Sequence, residues 1–129
     1  MELRVRYAET DQMGVVYHAN YLVWCEVGRV ELMRSLGLAY QELEASGVGL
    51  AVSSASLRYL APARYDDRIR VTTCLEQVRS RQLVFSYQID RVDDGIRLVE
   101  ASTTLVSIDP NGRVITVPPA LRALAAGLS

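Results

Sequence analysis

Residues 7–36 read YAETDQMGVVYHANYLVWCEVGRVELMRSL, and the change of pattern inside this stretch decides the architecture. Up to residue 18 the chain carries Asp11, Gly14 and its sole histidine, His18, in the polar, glycine-punctuated style of a loop. From residue 19 to 36 the spacing turns helical. Tyr21, Cys25, Gly28, Leu32 and Leu36 recur at intervals of three or four, and Leu22, Trp24 and Met33 widen the apolar face. Glu26, Arg29, Glu31 and Arg34 supply the polar side. A glycine in mid-helix costs up to ~1 kcal/mol relative to alanine, so Gly28 predicts a close approach of this helix to a sheet. Gly37 ends the helix as a C-terminal cap.

Outward from the helix the period becomes two. Residues 2–7 (ELRVRY) alternate as a strand with one buried face does. A shorter helix is expected over residues 40–46, stopped by Gly47. Four strands are then expected at residues 48–60, 68–77, 80–92 and 96–108. Ile69, Val71, Thr73 and Leu75 share one face, as do Leu83, Phe85, Tyr87 and Ile89. Short connections at residues 79–80 and 93–95 predict that the last three strands pair antiparallel as a meander. Residues 109–112 (DPNG) end the last strand, and Pro118-Pro119 lead into a short alanine-rich helix. One sheet must cover one apolar helix, an α+β layout, and the edges left over are commonly closed by dimerisation.

Composition narrows the function. A chain of 129 residues with no repeat or linker reads as a single domain, 1–129. Half of its residues are hydrophobic and 22% are charged, which suits a folded core rather than disorder. A net charge of −1 gives no pull toward nucleic acid. No apolar run approaches the roughly 20 residues that span a bilayer. The opening MELRVRY has no apolar stretch behind its basic residues, so no secretory signal is expected, and the cytoplasm is the expected compartment. Cys25 and Cys74 stand apart from any CxxC pair and cannot form a zinc set with one histidine. Both are expected to be buried packing residues, and no metal is expected. All 14 basic residues are arginine, which suits phosphate or carboxylate contacts but also follows from biased base composition.

The chemistry is concentrated around Asp11 and His18. A carboxylate beside a helix N-terminus stands next to backbone N–H donors that can hold a developing oxyanion. That pairing can hydrolyse an activated acyl group without a serine or cysteine nucleophile. On the residues alone, Asp11 suits an Asx turn or helix cap equally well.

The motif Tyr7, Thr10-Asp11, residues 14–21 (GVVYHANY) and Glu26 resembles the opening of the 4-hydroxybenzoyl-CoA thioesterase family, closest to its Tol–Pal-associated branch of bacterial acyl-CoA thioesterases. Residues 59–67 (YLAPARYDD) and 79–85 (RSRQLVF) match further segments, so the resemblance runs from about residue 3 to 110. It implies a hotdog fold, a five-stranded antiparallel sheet wrapped around a long central helix. It also implies dimers or tetramers with interfacial active sites, an acyl-CoA substrate and no cofactor. Asp11 stands at the family's catalytic aspartate. His18 stands where a backbone N–H polarises the thioester carbonyl. Arg79 and Arg81 fall where related enzymes contact coenzyme A phosphates. Tyr7 and Tyr17 are candidate pocket residues, with ordinary packing as the alternative. Arg64 is a candidate phosphate ligand, with an ion pair to Asp66 or Asp67 as its alternative. Asp11 would act as general base or as nucleophile. Two rival functions are a dehydratase or hydratase on the same fold and a non-catalytic acyl-thioester binding module.

Overall fold

The period-two stretches become five strands: β1 (Glu2–Arg4), β2 (Gly49–Tyr59), β3 (Arg68–Val78), β4 (Gln82–Arg91) and β5 (Arg97–Ile108). The helical stretches become α1 (Ala19–Ser35), α2 (Tyr40–Ala45) and α3 (Pro119–Leu128). This computed structural model describes residues 1–128, with side chains through residue 123. The strands form one sheet in the order β1-β3-β4-β5-β2, antiparallel at every pairing. The expected meander is β3-β4-β5. β2 follows the helices, crosses to the far edge and pairs with β5. With α1 laid over the sheet, this is the α+β hotdog arrangement.

Alternation fills the layer between sheet and helix. Ile69 and Val71, then Leu83, Phe85, Tyr87 and Ile89, then Val99, Ala101 and Leu105 are buried, together with Tyr21, Trp24, Cys25 and Met33 of α1. Each large apolar side chain so removed from water contributes about 1.5–3 kcal/mol. Gly28 lies where α1 meets β3. A Cβ there would stand 2.6 Å from Thr73 Oγ1 and 2.9 Å from Val71 Cγ1, so only glycine permits this approach. Gly37 adopts φ +87° directly after α1, the left-handed conformation of a helix C-terminus.

Four details depart from the sequence expectations. β1 stops at Arg4, because the chain bends into a 3-10 turn at Tyr7–Glu9. Leu22 faces outward at the surface, whereas Arg29, assigned to the polar side, is buried. Arg29 donates to the Tyr87 hydroxyl (2.9 Å), which shares a 2.7 Å bond with Thr103 Oγ1. Cys25 is buried but Cys74 is exposed, since period two sends it to the face opposite Val71 and Thr73.

The two sheet edges differ. β1 has three residues, whereas β2 has 11 and carries no charge before Arg58. Its central residues, 52–56, are exposed on both faces of the strand. Val52 of β2 and Leu22, Val23 and Val27 of α1 leave exposed apolar surface.

Candidate active site

Asp11 sits in a tight hairpin that precedes α1. Thr10 bridges Val16, the Asp11 N–H donates to Val15 O (2.9 Å) and the Gly14 N–H donates to Asp11 O (3.0 Å). Gly14 takes φ +77° to close the turn. Asp11 Oδ1 accepts from the N–H groups of Met13 (2.8 Å) and Val15 (3.4 Å). The Asx turn therefore exists, and it engages only one carboxylate oxygen. The residue is solvent-exposed in the single chain.

The hairpin leads directly into the tip of α1. His18 is the N-cap residue, and its imidazole forms no capping bond but lies against the Tyr17 ring with centroids 4.4 Å apart. Among the described residues, the His18 and Ala19 N–H groups have no hydrogen-bond partner, while Asn20 N–H donates to Tyr17 O. The open N–H groups of a first turn carry the positive end of the helix dipole. A cleft of about 310 Å³ opens beside them, lined by Val16, His18, Tyr21, Tyr59 and residues 60–62. Its wall is fixed from both sides: Val16 N–H donates to Ala63 O (2.9 Å), and Ala63 N–H donates to the Tyr21 hydroxyl (3.2 Å). Burial raises the Tyr21 phenol above its ordinary value. Two N–H donors without a partner thus stand beside an apolar cleft lined by Val16 and His18, while Asp11 lies in the adjoining hairpin and is not among the residues that line the cleft.

The other expected residues divide into two groups. Arg64 belongs to this end, because Val15 bridges it directly. Its expected ion pair is absent among the described residues. Only its backbone N–H reaches Asp67 Oδ2 (2.9 Å), while Asp66 pairs with Arg4 and Asp67 with Arg91. Tyr7 is not packed in a strand but lies in the 3-10 turn, 78% exposed and edge-on to Tyr65. Tyr17 is half-exposed, unlike the buried Tyr21 and Trp24. Arg79 and Arg81 flank the β3–β4 turn, where Arg79 Nε donates to Gln77 Oε1 (2.9 Å) and Arg81 O accepts from Ser107 N–H (3.0 Å). That turn lies at the opposite end of the sheet from Asp11. β3 separates the two ends by its full 11 residues, roughly 35 Å at 3.3 Å per residue.

One residue of this region went unnoticed in the sequence. Glu9, two positions before Asp11, is buried and hydrogen-bonded to Trp24. Nothing local in YAET marks it, since its partner lies a turn and a half into the next helix. Among the described residues no cluster of His, Cys, Asp and Glu is arranged to hold a metal, and no helix is long and apolar enough to cross a membrane.

Comparison with known proteins gives a consistent picture. The family model described as thioesterase-like superfamily matches residues 5–124. YneP of Bacillus subtilis is 47% identical over 88 residues, which are 68% of this chain and 64% of that protein, so the match spans less than two thirds of its length. The acyl-CoA thioester hydrolase YbgC of Escherichia coli is 37% identical over 108 residues, 84% of this chain and 80% of that one. The solved structure of Slr0204, a 1,4-dihydroxy-2-naphthoyl-CoA thioesterase from Synechocystis, superposes with a TM-score of 0.90 at 27% identity, covering 99% of this chain and 95% of the other.

Proposed function

The chain belongs to the thioesterase-like superfamily, and on that premise we propose that it hydrolyses acyl-CoA thioesters. Water adds across the acyl C–S bond, giving a free carboxylic acid and the coenzyme A thiol. The observation that supports the reading is a pair of unpartnered N–H groups at the tip of α1 beside an apolar cleft, with the Asp11 hairpin leading directly into that tip. In this reading the thioester carbonyl oxygen points at the N–H groups near His18, which stabilise the oxyanion as the tetrahedral intermediate forms. Asp11 accepts the proton of the attacking water, or attacks the carbonyl carbon itself to give an anhydride that water then opens. Oδ2 is the oxygen for this task, because the hairpin amides hold Oδ1. Tyr7 and Tyr17 border the entrance.

The site works as part of a dimer. An exposed Asp11 and helix tip need a cover that excludes water from the reacting carbonyl. The uncharged β2 edge and the apolar residues of α1 beside it are the surface for a second copy. A two-fold axis pairs the two β2 edges antiparallel. It thereby brings the partner's sheet end bearing Arg79 and Arg81 to the side on which this chain carries Asp11, His18 and Arg64. Arginines from two subunits then contact the phosphates of one coenzyme A. A single catalytic domain spanning residues 1–129, operating as a dimer or tetramer in the cytoplasm, completes the reading.

Thiol release from a panel of acyl-CoA esters tests it. Wild type should release thiol, and Asp11→Asn should lower kcat at least about a hundredfold. Undiminished turnover in Asp11→Asn, or an unsaturated acyl product without free thiol, would overturn the assignment.

A further inference from the structure

Among the described residues, Glu9 is the only acid in the buried class, 5% exposed. A carboxylate leaves water at a cost of several kcal/mol unless its oxygens find donors, and here both do. Oε2 accepts from Trp24 Nε1 (2.8 Å), and Oε1 accepts from the Arg6 N–H (2.8 Å), with Arg6 Nε at 3.5 Å. The backbone of the same residue is equally committed. Its carbonyl accepts from the Tyr17 N–H (2.8 Å) and from Asn20 Nδ2 (3.0 Å).

These bonds have a direction. The Asp11 side chain bonds only within its own hairpin, to Met13 and Val15. Those bonds shape the hairpin but do not locate it against α1. Val15 and Val16 tie the far arm of the hairpin to residues 63–64, and Ala63 reaches α1 through the Tyr21 hydroxyl (3.2 Å). The incoming arm is tied by Glu9. Its side chain reaches Trp24 in the second turn of α1, and its carbonyl holds both Asn20 in the first turn and Tyr17, the residue before the helix cap. The arm that ends two residues before Asp11 is thus tied to α1 through Glu9.

We propose that Glu9 is the positioning residue for Asp11, its carboxylate fastening the incoming arm of the hairpin to Trp24 of α1. The role rests on the thioesterase reading. It makes a specific chemical demand, since both oxygens must accept. Glutamine has the same shape but one acceptor. In Glu9→Gln either the Arg6 N–H or the Trp24 indole N–H must face an amide N–H, donor against donor. Trp24→Phe breaks the same fastening from the α1 side and leaves the Glu9 bond to Arg6 in place.

Two readouts test the proposal: thiol release from an acyl-CoA substrate, and amide hydrogen exchange at Tyr17, whose N–H donates to the Glu9 carbonyl. Glu9→Gln should lower kcat about ten- to a hundredfold, as expected for a catalytic group displaced by a fraction of an ångström to one ångström, with KM within about twofold. The Tyr17 amide should exchange at least about tenfold faster. Trp24→Phe should reproduce these losses from the α1 side, and the double variant Glu9→Gln/Trp24→Phe should fall no further than the weaker of the two single variants, because both remove one bond. Unchanged kcat or unchanged exchange in Glu9→Gln overturns the proposal, as does a double variant whose loss is the product of the two single losses. If wild type cleaves no thioester, the functional reading falls and takes the catalytic role of Glu9 with it. Exchange still reports, in that case, whether Glu9 holds the hairpin.

Discussion

Replacing Gly28 by alanine measures how closely α1 is pressed onto the sheet. The added Cβ would stand 2.6 Å from Thr73 Oγ1 and 2.9 Å from Val71 Cγ1. Neither atom is the loose end of a long side chain. Both neighbours are β-branched and stiff at χ1, and Val71 is buried on β3, a strand flanked on both sides. Alanine gains about 0.8–1 kcal/mol of helix propensity. Overfilling a packed contact costs about 1–3 kcal/mol, and two sub-3 Å approaches put this site in the upper part of that range. The net expectation is a loss of about 1–2 kcal/mol, or roughly 4–8 °C in Tm for a chain of this size. Urea unfolding followed by Trp24 emission, at one fixed protein concentration, reads it as a lower midpoint with an unchanged slope. Thr73→Ala in the same chain removes the nearer clash, and with it a buried hydroxyl that lacks a partner among the described residues. The pair should therefore recover more than half of the loss. A Gly28→Ala protein as stable as wild type, or simple additivity in the pair, would refute the packing argument.

Further outcomes follow from other parts of the molecule. Burial pushes the Cys25 thiol up to about 12 from its usual 9.0. The unfolded chain loses that proton first, so this group's contribution to stability declines by about 1.4 kcal/mol per pH unit as pH rises from about 9 toward 12. Burial raises Tyr21 and Tyr87 in the same sense. Denaturant midpoints between about pH 8 and pH 11 should fall more steeply in wild type than in Cys25→Ala, and parallel curves would contradict this. A charge at the middle of the β2 edge, Val52→Arg, should convert the oligomer to monomers in sedimentation and lower activity with it. An unaltered assembly would exclude that edge as the contact.

The sheet was legible because its signal is periodic. Ile69, Val71, Leu83, Phe85, Tyr87 and Ile89 each fall on the side that alternation assigns them. Gly28 was legible as well, since a glycine inside a strong helical pattern demands a packing reason. Residues whose environment comes from distant chain were not. Arg29 has the helical phase of a flank, and only the Tyr87 hydroxyl, 58 residues away, shows that it is buried. Glu9 looks like any surface acid until Trp24 is placed against it. Arg79 and Arg81 were grouped with Asp11 by resemblance, yet the strand between them carries them to the other end of the protomer. At Asp11 the turn reading is the one the structure shows, with Oδ1 on the hairpin amides; the catalytic reading belongs to the proposal and rests on Oδ2.

The strand order has a consequence for how the chain acquires its shape. Gly49 of β2 meets Ile108 of β5, and Tyr59 meets Val99. During synthesis β2 emerges long before its only neighbour, while β3, β4 and β5 can zip locally, each onto the one just made. The uncharged ribbon of residues 49–57 must therefore wait, unpaired, until nearly the whole polypeptide has left the ribosome. The edge proposed as the contact with a second copy is also the segment most open to wrong partners while it is being born.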